Sequence, residues 1–337
     1  MNKTVVCQSP GDLQLVNRPI PEAREGEVLL RVRRIGLCGT DMHIFRGTQP
    51  YLQYPRVMGH ELSGEVVTAP EGSGLAAGDP VYVMPYLSCG KCVACRKGKT
   101  NCCTAIQVLG VHRDGGMTEY LAIPAQFVFK TDGISLDQAA MLEFLAIGAH
   151  AVRRANVEAG QKVLVVGAGP IGIAAALFAQ LRGGVVTVLD SNENRLGFCR
   201  DVLKVPHVVT VGEHDKDALS MLTDGEFFDV VFDATGNVKA MERGLEFVAH
   251  GGTYVLVSIV RDRISFDDPE FHKRETTLLG SRNATAEDFR VVLAAMKEGR
   301  VPTDLLNTHR TTLAEFVDVL PAWMDGSSNV IKAIVEV

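Results

Sequence analysis

No stretch of this 337-residue chain stays apolar long enough to span a bilayer, which takes about 20 residues of helix. The opening Met1-Asn2-Lys3-Thr4 has no apolar signal core, so a cytoplasmic protein is expected. Positive charge is not in surplus: 34 Lys and Arg against 40 Asp and Glu give a formal charge of -6. That removes any general attraction to nucleic acid or to an anionic membrane. Long runs of like charge, internal repeats and low-complexity segments are also missing, and no interaction tail is expected. The remaining partners are small molecules and further copies of the chain. The length exceeds what one hydrophobic core usually serves, so two domains are expected.

Cysteine is scarce and poorly spread for a disulfide scaffold, since five of the eight fall between Cys89 and Cys103. In a reducing compartment such bunching points to metal. Cys89, Cys92, Cys95 and Cys103 form C-x2-C-x2-C-x7-C. Four thiolates at that spacing close a tetrahedral zinc site with no open position, which is a structural one. An iron-sulfur cluster also takes four thiolates, but a redox-inert ion suits a lobe without electron transfer. Cys102 competes with Cys103 for the fourth place, and Cys103 is expected to fill it.

A second constellation reads Leu37-Cys38-Gly39-Thr40-Asp41-Met42-His43 and, further on, Gly59-His60-Glu61-Leu62-Ser63-Gly64. Cys38, His60 and one glutamate supply the three ligands that a catalytic zinc needs beside its open position. Glu143 sits in the apolar run Met141 to Ala146. Alone it reads as an exposed point on a helix; beside a metal it becomes a ligand or a neighbour of one.

From Thr4 to about Pro124 the text is short β-like runs, such as Val28 to Ile35, Gly64 to Val67 and Val81 to Met84, broken by Gly and Pro. His112 and Arg113 lie in a polar, glycine-containing loop, as candidate contacts to a polar or anionic substrate or as a solvated tip. From Gly160 strands and helices alternate. Lys162 to Val166 reads as a buried parallel strand, Gly167-Ala168-Gly169-Pro170-Ile171-Gly172 as G-x-G-x-x-G, and Ile173 to Leu181 as a helix. In that context the motif is a dinucleotide fingerprint whose turn and helix N-terminus take the pyrophosphate. Asp190 follows Gly167 by 23 residues, where a carboxylate binds the ribose hydroxyls and repels a 2′-phosphate. NAD is expected, with Arg195 as the one nearby cation that favours NADP. Thr235 and Ser258 stand at later strand ends, where such sheets meet their ligand. After Gly280 the tail reads as a helix from Ala286 to Lys297, another helix and a final strand from Val330 to Val335.

With these motifs in this order, the whole chain resembles the zinc-containing medium-chain alcohol and polyol dehydrogenases, in the glutamate-using branch. The resemblance implies an α/β protein with a GroES-like β-barrel catalytic domain over residues 1-146 and 283-337 and a Rossmann NAD-binding domain over 147-282. It implies two zinc ions per chain, one in the four-cysteine lobe and one among Cys38, His60 and Glu61, with Glu143 a further ligand, direct or through water. Phe144 stands where members usually have proline. Thr40 and His43 become a proton relay, and Arg113, Arg282 and Asn283 candidates to hold a carboxylate or the nicotinamide end. Local phrases, among them Tyr54-Pro55-Arg56-Val57 and Gly280 to Thr285, are most similar to bacterial enzymes that oxidise L-galactonate or L-gulonate to the 5-keto acid. A polyol or L-threonine dehydrogenase is the alternative within the family, and a zinc-free reductase or a non-catalytic cofactor sensor lie further off. A homodimer or homotetramer is implied.

Overall fold

In the computed structural model, which describes residues 1–325 and 328–337, the chain builds two units, Met1–Glu143 with Leu293–Val337, and Phe144–Val292. The first unit is organised by one long strand, Glu27–Gly36. Val28, Leu30 and Val32 are buried on alternate positions, and then Ile35 is buried too. The parity changes because the pairing with Glu61–Thr68 shifts register between Val32 and Arg34. An extra residue in one strand turns every later side chain to the other face. The bulge brings Gly36 opposite Glu61, and this pairing places a carboxylate in the core.

Around that strand the sheet runs Val128–Lys130, Pro80–Val83, Glu61–Thr68, Glu27–Gly36, Lys332–Glu336 and Asn307–Thr312, with Tyr120–Pro124 also paired to Glu27–Gly36. Asn2–Ser9 forms a second, smaller sheet with Asp12–Arg18 and Arg56–Val57. The tail differs from its reading in sequence. Besides the helix Ala286–Lys297, it holds a strand, Asn307–Thr312, and a short helix, Thr303–Leu306, that were not expected. Asn307–Thr312 has no apolar side chain to mark it, and its place is set by parallel pairing with Lys332–Glu336.

The second unit holds six parallel strands, ordered His207–Thr210, Val185–Asp190, Lys162–Val166, Phe228–Asp233, Val248–Leu256 and Thr277–Gly280. Numbered along the chain, that is 3-2-1-4-5-6, the order of dinucleotide-binding sheets, whose ligand sits where the order reverses. The reversal lies between Lys162–Val166 and Phe228–Asp233. Four consecutive buried residues, Val163, Leu164, Val165 and Val166, are what a strand covered on both faces requires. No helix among the described residues is long and apolar enough to cross a membrane.

Candidate metal centre and cofactor site

Cys38 caps the helix Gly39–Phe45, and three residues on Asp41 closes the cap, its Oδ2 accepting from Cys38 N at 3.0 Å. The other oxygen, Oδ1, accepts from Gly59 N at 3.1 Å. One fully buried carboxylate therefore ties the loop of Cys38 to the loop of His60. His60 Nδ1 stands 4.0 Å from Asp41 Oδ1, beyond hydrogen-bonding reach, and has no hydrogen-bond partner although it is buried. Ligand atoms of Cys38, His60 and Glu61 all lie within 4.8 Å of one another.

Glu61 is fully buried, and its charge is met by Lys332, 1% exposed, whose Nζ donates to Glu61 Oε1 at 2.5 Å and to Leu37 O at 3.0 Å. Room for this pair comes from Gly36: a Cβ there would lie 2.1 Å from Glu61 Oε2. Glu143, in the first turn of the helix Leu142–Ala155, is 3% exposed rather than a solvated point. Its Oε1 accepts from the buried Tyr86 hydroxyl, while Oε2 has no hydrogen-bond partner. Burial pushes the Glu143 carboxyl up to about 7, against the pull of His60. Burial and then the Glu143 charge hold the Tyr86 hydroxyl well above its usual range, which keeps it a donor. Burial works to lower the His60 imidazole, yet Cys38, then Asp41 and Glu143, carry it well above its ordinary value.

A thiol, an imidazole nitrogen without a partner and a carboxylate oxygen without a partner, all beside negative charge, are what a cation would satisfy. The donor set of sulfur, nitrogen and oxygen fits zinc. Thr40 and His43 lie three apart on the helix that Cys38 caps, hence on one side of it. His43 is exposed, its Nδ1 2.9 Å from Thr48 Oγ1. Asp41, quoted within the Cys38 to His43 stretch, was given no role from the sequence, and neither were Tyr86 and Lys332. Asp41 carried a signal, an acid three residues after the helix cap; the other two carried none.

Cys89, Cys92, Cys95 and Cys103 also bring their sulfurs within 4.8 Å of one another. Cys103 is the buried one, and Cys102, outside the group, is exposed. The backbone of Cys95, then that of Thr104, draws the Cys92 thiol down to about 5. Four gathered sulfur donors, with no nitrogen or carboxylate among them, fit zinc at this site as well.

In the second unit, Gly167 ends its strand at φ +96°, and a Cβ on Gly172 would lie 1.8 Å from Gly167 O. The third glycine of the motif is thus required by the turn itself. Beside Gly169, which precedes Pro170 and Ile171 at the helix start, a Cβ would meet nothing within 4 Å, space that fits a pyrophosphate. Asp190 ends the second strand and is pinned to that turn, Oδ2 accepting from Ala168 N at 2.5 Å and Oδ1 from Asn192 N at 2.7 Å. Arg195 follows on the helix that Asn192 caps. Thr235 donates through N and Oγ1 to Asp233 Oδ1 at 3.0 and 2.9 Å, and Ser258 N donates to Asp233 O at 3.3 Å. Both therefore gather at the end of the fourth strand.

The remaining candidates separate. His112 and Arg113 line a groove of about 510 Å³ in the first unit with Arg18, Arg24, Arg56 and Asp114, and none of Cys38, His60, Glu61 or Glu143 lines it. Arg282 and Asn283 belong to the second unit, just after the strand Thr277–Gly280.

Two family profiles match the chain: "Alcohol dehydrogenase GroES-like domain" over residues 24–133 and "Zinc-binding dehydrogenase" over 170–298. The chain is 42% identical to the L-galactonate-5-dehydrogenase of Escherichia coli (strain K12), over 98% of both chains. It is 32% identical to the sorbitol dehydrogenase of Halalkalibacterium halodurans, over 91% of both. Among solved structures, an alcohol dehydrogenase (rspB) of E. coli CFT073, complexed with NADH, superposes with a TM-score of 0.93 at 27% identity, covering 100% of this chain and 99% of that one.

Proposed function

Since the chain belongs to the zinc-type medium-chain alcohol dehydrogenase family and is an oxidoreductase, we propose that it oxidises a secondary alcohol of a six-carbon sugar acid, of the L-galactonate or L-gulonate kind, to the 5-keto acid with NAD. The balance is alcohol plus NAD⁺ to ketone, NADH and one proton. When bound, zinc supplies a Lewis acid that makes a substrate hydroxyl more acidic, and the nicotinamide supplies the hydride acceptor.

The chain's own residues do the rest. Cys38 and His60 hold the metal with a glutamate, and Asp41 fixes the two loops that present them. Thr40 takes the hydroxyl proton and His43, exposed to water, passes it on. The Gly167–Gly172 turn holds the cofactor phosphates and Asp190 its adenosine ribose, which favours NAD. The four-cysteine lobe holds the second, structural zinc. Arg282 and Asn283 are kept as substrate or nicotinamide contacts. We further read the protein as a cytoplasmic homodimer or homotetramer.

The likeness to an L-galactonate dehydrogenase along essentially the whole chain carries the substrate choice. NAD and NADP reduction by the purified protein on hexonates, sorbitol and L-threonine tests it. Turnover on the L-hexonates with NAD is expected, and turnover confined to sorbitol or threonine would overturn the sugar-acid assignment.

A further inference from the structure

His112 and Arg113, expected from the sequence at a polar or anionic substrate, stand instead in the groove of about 510 Å³ that no ligand residue of the metal centre lines. That volume lies within the range of small-molecule sites, about 300 to 1,000 Å³. The groove's floor is buried and closed. Thr118 Oγ1 donates to Asn2 Oδ1 at 2.8 Å, the hydroxyl oxygens of Thr4 and Thr118 lie 2.8 Å apart, and Asn2 Nδ2 donates to Tyr120 O at 3.1 Å. The wall is different: four guanidiniums line it, and their donors outnumber their partners. Arg18 uses Nη1 alone, on Asp114 Oδ2 at 3.1 Å. Arg56 gives Nη1 to Asp114 Oδ1 at 3.2 Å and Nη2 to Gln53 O at 3.4 Å, and its Nε is buried with no hydrogen-bond partner. Among the described residues, the side chains of Arg24 and Arg113 make no hydrogen bond or ion pair.

Arginine only donates and keeps its charge, so this wall calls for an anion. A multiply charged anion such as phosphate fits poorly, because Glu22, Glu27 and Asp114 share the lining and like charges at close range repel. Ionised carboxylates only accept, and a ligand hydroxyl is a group that can donate to them. Donors and acceptors in one groove thus match a single carboxylate carried on several hydroxyls. We propose that the groove is a second ligand site, for a small polyhydroxylated monocarboxylate: Arg18 and Arg113 take its carboxylate, and Glu22 and Glu27 accept from its hydroxyls. Asp114 is the brace. It accepts from Arg18, from Arg56 and from Val57 N at 3.1 Å, so its own charge is met while it fixes two of the four arginines in the wall. The ligand class follows from the lining and does not depend on which alcohol is oxidised at the metal centre.

The test is equilibrium binding of isotope-labelled L-galactonate to the full-length Cys38→Ser protein without NAD. That substitution alters the metal centre and leaves the groove whole, since Cys38 does not line it. Saturable binding of one L-galactonate per chain is expected. Arg113→Ala added to this background should weaken binding about 10- to 100-fold, the scale of one lost charge-assisted contact. Arg113→Lys, which keeps the charge without the fork, should fall between. Arg18→Ala should weaken binding as well; if freeing Asp114 unfolds that variant, Arg113→Ala carries the test alone, because Arg113 holds no partner whose loss could destabilise the fold. In competition, sorbitol, acetate and inorganic phosphate should each be at least about tenfold weaker than L-galactonate, since each lacks one half of the match or carries too much charge. The proposal is overturned if binding is not saturable, if Arg113→Ala leaves it unchanged, or if phosphate competes as well as L-galactonate. Steady-state turnover of L-hexonates by the wild type is read separately. Binding without turnover would overturn the proposed reaction and leave the groove standing, and turnover without this binding would overturn the groove.

Discussion

The two metal-type clusters of the first unit are built in opposite ways. In the four-cysteine lobe, every ligand comes from one short segment, Cys89 to Cys103, three of the four are half-exposed, and all donors are alike. At the other cluster, donors come from positions 38, 60 and 61, all but Cys38 are buried, and sulfur, nitrogen and oxygen are mixed. It is also surrounded by groups that are not ligands: Asp41, Tyr86 and Lys332. A closed set of identical ligands needs only a local turn to hold an ion and fix a fold. A site that must leave a place open has to be held rigid from outside, by partners brought in from distant strands.

The contrast predicts a separation of effects. The largest should follow Cys38→Ser or His60→Ala: a loss of about 10³-fold or more in kcat/KM with near-native melting, because the Lewis acid is worth several kcal/mol to the reaction. Steady-state NAD reduction beside a thermal melt checks it. Next, Thr40→Ala and His43→Ala should each lower kcat about 10²-fold, the range of one lost proton-transfer group. The pH-rate profile should lose an ionisation in the His43 variant alone, and an unchanged profile would remove it from the relay. Asp190→Ser should raise KM for NAD about tenfold and narrow the preference over NADP, as loss of a ribose contact and of a repelling charge requires. The smallest effect on turnover should be that of Cys92→Ser, measured per folded molecule, while its stability falls by about 4 kcal/mol or more, the scale of a lost metal site. Denaturant titration would show it. If Cys92→Ser instead abolished turnover without loss of stability, the division of labour between the clusters would be wrong.

The same contrast explains what could be read from the sequence. Cys89, Cys92, Cys95 and Cys103 are legible because a ligand spacing within one loop is a local property, and so is Gly167 to Gly172, where the helix start forbids a Cβ on the last glycine. Cys38 and His60 are legible as residue types flanked by glycine. Lys332 is not, because it meets Glu61 across 271 positions, through a strand pairing that a β-bulge shifts by one residue. A lone lysine opening Lys332-Ala333-Ile334-Val335 looks like the solvated end of a strand. Tyr86 is hidden for the same reason, as a short-strand aromatic whose hydroxyl finds its acceptor 57 positions away. The strand Asn307–Thr312 escaped because its pattern is wholly polar and only its neighbour defines it.

The central claim is that the mixed cluster, and not the lobe, holds the ion on which turnover depends. Zinc content and NAD reduction measured together on wild type, Cys38→Ser and Cys92→Ser test it most directly. The account predicts two zinc ions per chain in the wild type, one per chain and negligible turnover in Cys38→Ser, and one per chain with turnover largely kept by the folded fraction of Cys92→Ser. Full turnover in a Cys38→Ser protein that has lost its zinc would contradict it.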